Sequence, residues 1–79
     1  MTRDEVIAII RKHVVEQIED VEEEDLEFAE TFRDFGANSL DMLEVVTASM
    51  REMNIKVPRA ELAEVESIDQ LADHFMKYI

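Results

Sequence analysis

The chain has no cysteine and no tryptophan, and only one glycine, one proline and one tyrosine. Without cysteine it can build no disulfide framework, no thiolate metal site and no cysteine nucleophile. A single glycine and a single proline leave few tight turns, and long stretches of 3.6-residue apolar periodicity argue for helices rather than strands. No apolar run approaches the length of a membrane span. Val6 to Ile10 is apolar, but Arg11 and Lys12 follow at once and acids flank the segment, so it does not read as a signal peptide. A soluble cytoplasmic protein is the expectation. Positive charge is scarce too: eight Lys and Arg face 20 Asp and Glu, for a net charge of −12. Nucleic acid and anionic membrane are disfavoured as partners, because phosphate contacts need clustered cations. Proteins with basic docking patches fit better, reached by electrostatic steering.

What is present suffices for a small globular fold. Seventy-nine residues make one domain over 1–79 and bury only roughly 60–65% of the unfolded surface, so the core is thin. A first helix is expected from about Arg3 to Asp20, opened by a Thr2–Glu5 capping box, with Val6, Ile7, Ile10, Val14, Ile18 and Val21 on one face. Glu22 to Asp25 then breaks the periodicity. The connection to Asn38 is long, with Leu26, Phe28, Phe32 and Phe35 as apolar studs pinning it to the core. A central helix spans about Ser39 to Met53, with Leu40, Leu43, Val46, Met50 and Met53 inward and Asn54 as its stop. Ile55 to Val57 is extended ahead of Pro58. Arg59 to Ala63 forms a short helix with Leu62 inward. The last helix starts at a capping box of Ser67 and Gln70 and places Ile68, Leu71, Ala72, Phe75 and Ile79 on one side. The sum is all-α: a small antiparallel bundle of three main helices plus one short helix, with a long first loop.

The lone glycine marks the most informative stretch. Gly36 supplies the left-handed backbone of a sharp turn that leads into Ala37-Asn38-Ser39-Leu40-Asp41. Asn38 is a good N-cap and Asp41 can return the bond as in a capping box, which spares Ser39 that role and turns its side chain to solvent. Other chemistry is weak. The acids at Glu22 to Asp25 lack the alternating spacing and terminal glutamate of an EF-hand loop. His13 and His74 have no second His at ligand spacing, so no metal site is expected. Asp41 and Glu44 sit one turn apart but on an exposed helix without a pocket, so they read as surface acids and the chain as a non-enzyme.

In this arrangement the chain resembles the acyl carrier protein family. The likeness is carried by Phe35-Gly36-Ala37-Asn38-Ser39-Leu40-Asp41-Met42-Leu43-Glu44, by Ile55-Lys56-Val57-Pro58, and by Ile68-Asp69-Gln70-Leu71-Ala72-Asp73. The resemblance implies a 4'-phosphopantetheine arm on Ser39, installed from coenzyme A by a phosphopantetheinyl transferase. It also implies thioester cargo delivered to partners such as an acyltransferase or ketosynthase, and a monomer. Asp41 and Glu44 are then offered to basic patches, with Met42 and Val45 adding apolar contact off the inward stripe. The interior beneath the central and short helices would shelter part of the acyl chain, lined by Leu43, Val46, Leu62, Leu71 and Phe75.

Two departures point within the family. Asn38 stands where Asp is usual, and Thr47 to Glu52 is less acidic than in fatty-acid carriers. Both look more like polyketide carriers, and Gly36 to Ser39 with Val57 to Leu62 look similar to acetyl-donor carriers of β-branching cassettes. The competing readings are a peptidyl or fatty-acid carrier, and a helical adaptor in which Ser39 merely caps. The net charge yields a prediction of its own. Because the acids repel one another in the compact state, added salt or divalent cations should raise the melting temperature, a trend that calorimetry across ionic strength checks.

Overall fold

The computed structural model describes the backbone of residues 1–79 and every side chain except that of Ser39. Five α-helices follow in order: α1 (Arg3–Gln17), α2 (Glu23–Glu27), α3 (Ser39–Met53), α4 (Arg59–Leu62) and α5 (Ile68–Met76). A 3-10 turn at Phe32–Phe35 precedes α3, and no strand occurs among the described residues. The long elements are α1, α3 and α5, and α1 packs against both of the others.

Capping chemistry sets the helix starts. Thr2 Oγ1 accepts the Glu5 N–H at 3.2 Å, while the Glu5 carboxylate accepts the Thr2 N–H at 3.0 Å. Ser67 Oγ accepts the Gln70 N–H at 3.1 Å and opens α5. The expected reciprocal bond is displaced by one residue, because Gln70 Oε1 takes the N–H of Glu66 at 2.9 Å instead. Asn54 ends α3 in the left-handed region at φ 56°, as a C-terminal stop should.

One stripe of α1 supplies the centre of the core. Val6, Ile10 and Val14 are fully buried, and Ile18 and Val21 continue the seam beyond the helix end. Against them lie Val45 from α3 and Leu71, Ala72 and Phe75 from α5, all with no exposed surface. Ion pairs lace the rim. Arg3 Nε meets Asp73 of α5 at 2.9 Å, and Lys12 Nζ and His13 Nε2 share Glu52 of α3 at 2.6 and 2.8 Å.

The structure departs from the sequence reading in several places. The first helix stops at Gln17 rather than near Asp20, and Asp20 itself takes a left-handed backbone at φ 64°. The acids that interrupt the apolar period, Glu23 to Asp25, open α2, where their charge suits a helix N-terminus. Leu26 and Phe35 are buried and Phe32 is half-buried, but Phe28 is 85% exposed and pins nothing. Ile79 is 51% exposed, since α5 ends at Met76 and the last residue no longer follows its face.

The inward face of α3 is the largest correction. Leu40 and Leu43, assigned inward, are 66% and 44% exposed, whereas Met42 and Val45, assigned off the stripe, are buried. The helix is apolar around most of its circumference, so two stripes satisfy the same period. The deciding residue is polar. Ser49 is fully buried on the true inner face, its hydroxyl donating to the Val45 carbonyl at 2.8 Å, and it carries no weight in a hydrophobic count.

Substitutions should separate these environments. Ile10→Ala, at the fully buried centre of α1, is expected to lower unfolding free energy by about 2–5 kcal/mol. Phe28→Ser should stay within about 0.5 kcal/mol. Urea titrations followed by circular dichroism check both.

Candidate functional site

The turn before α3 is built from three linked devices. The Asp34 carboxylate accepts the N–H groups of Glu30 and Thr31 at 2.7 and 3.0 Å, which closes the 3-10 turn and holds that carboxyl below its ordinary range. Gly36 follows at φ 75°, donating its N–H to the Arg33 carbonyl at 3.0 Å. A side chain there would meet open space, so glycine is required by the backbone angle rather than by crowding. Asn38 then caps α3: its Oδ1 accepts the Asp41 N–H at 2.8 Å, and the Asp41 carboxylate returns a longer bond to the Asn38 N–H at 3.4 Å.

This geometry distinguishes the chain's three serines. Ser49 is buried and bonded to Val45, and Ser67 is committed to capping α5. Ser39 is the first residue of α3, and the cap it could have supplied is already made by Asn38. The expectation that its side chain faces solvent lies outside the described side chains. The first turn of a 15-residue helix leaves backbone N–H groups without intrahelical partners and favours an anion. A phosphodiester therefore fits this end of α3, next to a neutral amide at Asn38.

Of the four residues expected to dock partners, Glu44 is exposed and Asp41 half-exposed. Met42 and Val45 are corrected: both are buried against the core, and the exposed apolar side chains near Ser39 are Leu40 and Leu43. Asp41 is partly engaged by its return bond to Asn38.

A cleft of about 810 Å³ opens beside Asn38, within the range of small-molecule sites. Phe32, Met42, Leu43, Val46, Leu62 and Leu71 give it apolar walls, and Arg33, Asn38, Arg59 and Glu66 add polar lining. Four of the five residues expected to line such a space do so; Phe75 instead lies wholly in the core. One wall is α4, which buries no residue of its own. It is tied to α5 through Glu61, whose carboxylate accepts from Tyr78 Oη, from His74 Nδ1 at 3.0 Å and from Lys77 Nζ at 3.2 Å. Sequence reasoning missed this latch, because its donors lie 13 to 17 residues away and only the fold brings them together.

These donors, the Tyr78 hydroxyl first, lower the Glu61 carboxyl from 4.5 to about 2. A depressed folded-state value means that the stabilisation is complete above pH 4.5 and is lost as the pH falls toward 2. Glu61→Gln should therefore lower the melting temperature at pH 7 and weaken its fall between pH 4.5 and 2. Melting curves of both chains across that window provide the check.

The comparisons agree with the geometry. The model of the phosphopantetheine attachment site family matches residues 9–75. The chain is 25% identical over 73 residues to the polyketide biosynthesis acyl-carrier-protein AcpK of Bacillus subtilis (strain 168), covering 92% of this chain and 89% of the relative. No solved structure matches. A helical bundle, a capped turn ahead of its central helix and a family match over most of the chain lead to one conclusion: the protein belongs to the phosphopantetheine-attachment carrier family, whose domains are non-catalytic.

Proposed function

We propose that the chain is a cytoplasmic acyl carrier protein of polyketide assembly and that Ser39 bears its 4'-phosphopantetheine arm. The observation that carries the reading is the Asn38 cap at 2.8 Å, which places the cap of α3 one residue before Ser39. Membership of the carrier family supplies the chemistry. The polyketide assignment is supported by the likeness to AcpK, the polyketide carrier of Bacillus subtilis.

Loading forms a phosphodiester between Ser39 Oγ and the pantetheine phosphate of coenzyme A, and adenosine 3',5'-bisphosphate leaves as the seryl proton is removed. The arm supplies a thiol, the nucleophile that a chain without cysteine does not possess. The chain's own residues do the rest. The first turn of α3 receives the new negative charge. A tether of this kind raises the effective concentration of cargo at a partner's site. Leu40, Asp41, Leu43 and Glu44 form the docking face. The exposed acids find basic patches on the transferase and on a ketosynthase or acyltransferase, and the two leucines give short-range apolar contact.

Incubation with coenzyme A and a phosphopantetheinyl transferase is expected to add the mass of one arm to the wild type and none to Ser39→Ala, read by intact-protein mass spectrometry. An adaptor that uses Ser39 only as a helix residue would gain no mass. Glu44→Lys and Asp41→Lys should slow loading severalfold with unchanged circular dichroism; equal rates would move the docking face elsewhere.

A further inference from the structure

We propose that the cleft beside α3 selects arm-borne acyl groups that carry a free carboxylate, held by Arg33 and Arg59. The inference rests on Ser39 bearing the arm, as set out above.

Cations are rare in this chain, and their distribution is uneven. Of eight Lys and Arg, four are committed to carboxylates: Arg3 to Asp69 and Asp73, Arg11 to Glu23, Lys12 to Glu52, and Lys77 to Glu61. Among the described residues, the other four, Arg33, Arg51, Lys56 and Arg59, have no carboxylate within 4.0 Å, although the chain holds 20 acids. Of these four, Arg33 and Arg59 lie in the lining of the same cleft, one from the 3-10 turn and one from α4.

The rest of that lining does not oppose an anion. Among the described residues its one acid is Glu66, so two arginines and one glutamate line it in a protein of net charge −12. Asn38 is neutral, and with its Oδ1 taken by the Asp41 N–H its amide NH2 remains a donor. The Thr47 hydroxyl donates its proton to the Leu43 carbonyl at 2.8 Å. Apart from Thr31 the remaining walls are apolar and match the methylenes of an acyl chain. A carboxylate-tipped chain therefore meets apolar surface along its length and paired charge at its end, where guanidinium geometry suits it. A neutral chain of equal length leaves both arginines without a partner.

The test loads the full chain with a phosphopantetheinyl transferase from glutaryl-CoA and, in parallel, from pentanoyl-CoA. Mass spectrometry and thermal melting follow. The glutaryl form should melt about 2 °C above the pentanoyl form, as fits an exposed ion pair in a small domain. The difference should vanish in the Arg33→Gln/Arg59→Gln double variant. It should also shrink in Asn38→Asp, which keeps a capping oxygen but adds a carboxylate to the lining. Equal melting of the two loaded forms overturns the proposal while leaving the carrier reading intact. The same holds if the difference survives in the double variant. If the double variant lowers melting equally for both cargoes, the arginines serve the arm's phosphodiester and the proposal falls. Absence of any added mass overturns the carrier reading itself, and this proposal with it.

Discussion

The bond from the Asp41 N–H to the Asn38 amide oxygen is the contact on which the site depends. A helix must satisfy its first N–H groups, and side-chain caps of this kind are worth about 0.5–2 kcal/mol. If a serine made that bond, esterifying its hydroxyl would disturb the start of the helix. In the function proposed for Ser39, placing the cap one residue earlier separates the two tasks. The upstream turn exists to deliver Asn38 in the right conformation: Asp34 closes the 3-10 turn, and Gly36 reverses the chain at φ 75°. Asn in place of Asp preserves this cap and removes one negative charge beside it.

Charge governs the molecule at longer range. Carboxylates outnumber cations by 20 to eight, so each cation is a scarce resource. Half of them tie one element to another. Arg3 joins α1 to α5, Arg11 joins α1 to α2, Lys12 joins α1 to α3, and Lys77 joins α5 to α4. These pairs are largely exposed and individually weak. Their value lies in orientation, because they hold the outer edges of helices whose inner faces are already buried. Surplus acid remains on the exposed surface of α3, where Glu44 stands free for other molecules.

Much of this was legible in the sequence, and the failures have physical causes. The bounds of α3 were readable because Asn38 and Asn54 are strong start and stop signals. The α1 seam was readable because Val6, Ile10 and Val14 recur four apart, with Arg11, Lys12 and His13 between the last two. The inner face of α3 was not, since Leu40, Met42, Leu43, Val45 and Val46 surround the helix and periodicity alone cannot rank them. Contact with α1 decided the matter and buried Ser49, whose polarity is neutralised within its own helix. The helix at Glu23 was hidden by its acids, which carry no apolar period yet favour an N-terminus. The cleft was anticipated from Leu43, Val46, Leu62 and Leu71, but its charged lining and the Glu61 latch depend on tertiary proximity.

That latch gives the cleft an uneven construction. Two of its walls are firm: α3 leans on α1, and Leu71 is locked in the core. The third, α4, is four residues long and fully buries none of them. Few buried apolar contacts and solvent-reachable hydrogen bonds are the marks of low local stability. What holds this wall, beside half-buried Leu62 against the core, is one carboxylate taking three donors from the end of α5 and just beyond it. Displacing α4 therefore breaks polar contacts that water can replace and lifts Leu62 from the core's edge, while Val6, Ile10, Val14 and Phe75 lie in the buried centre. Of the cleft's walls α4 is the least deeply packed, and its polar tie, Glu61, lies two residues from Arg59 in the same helix.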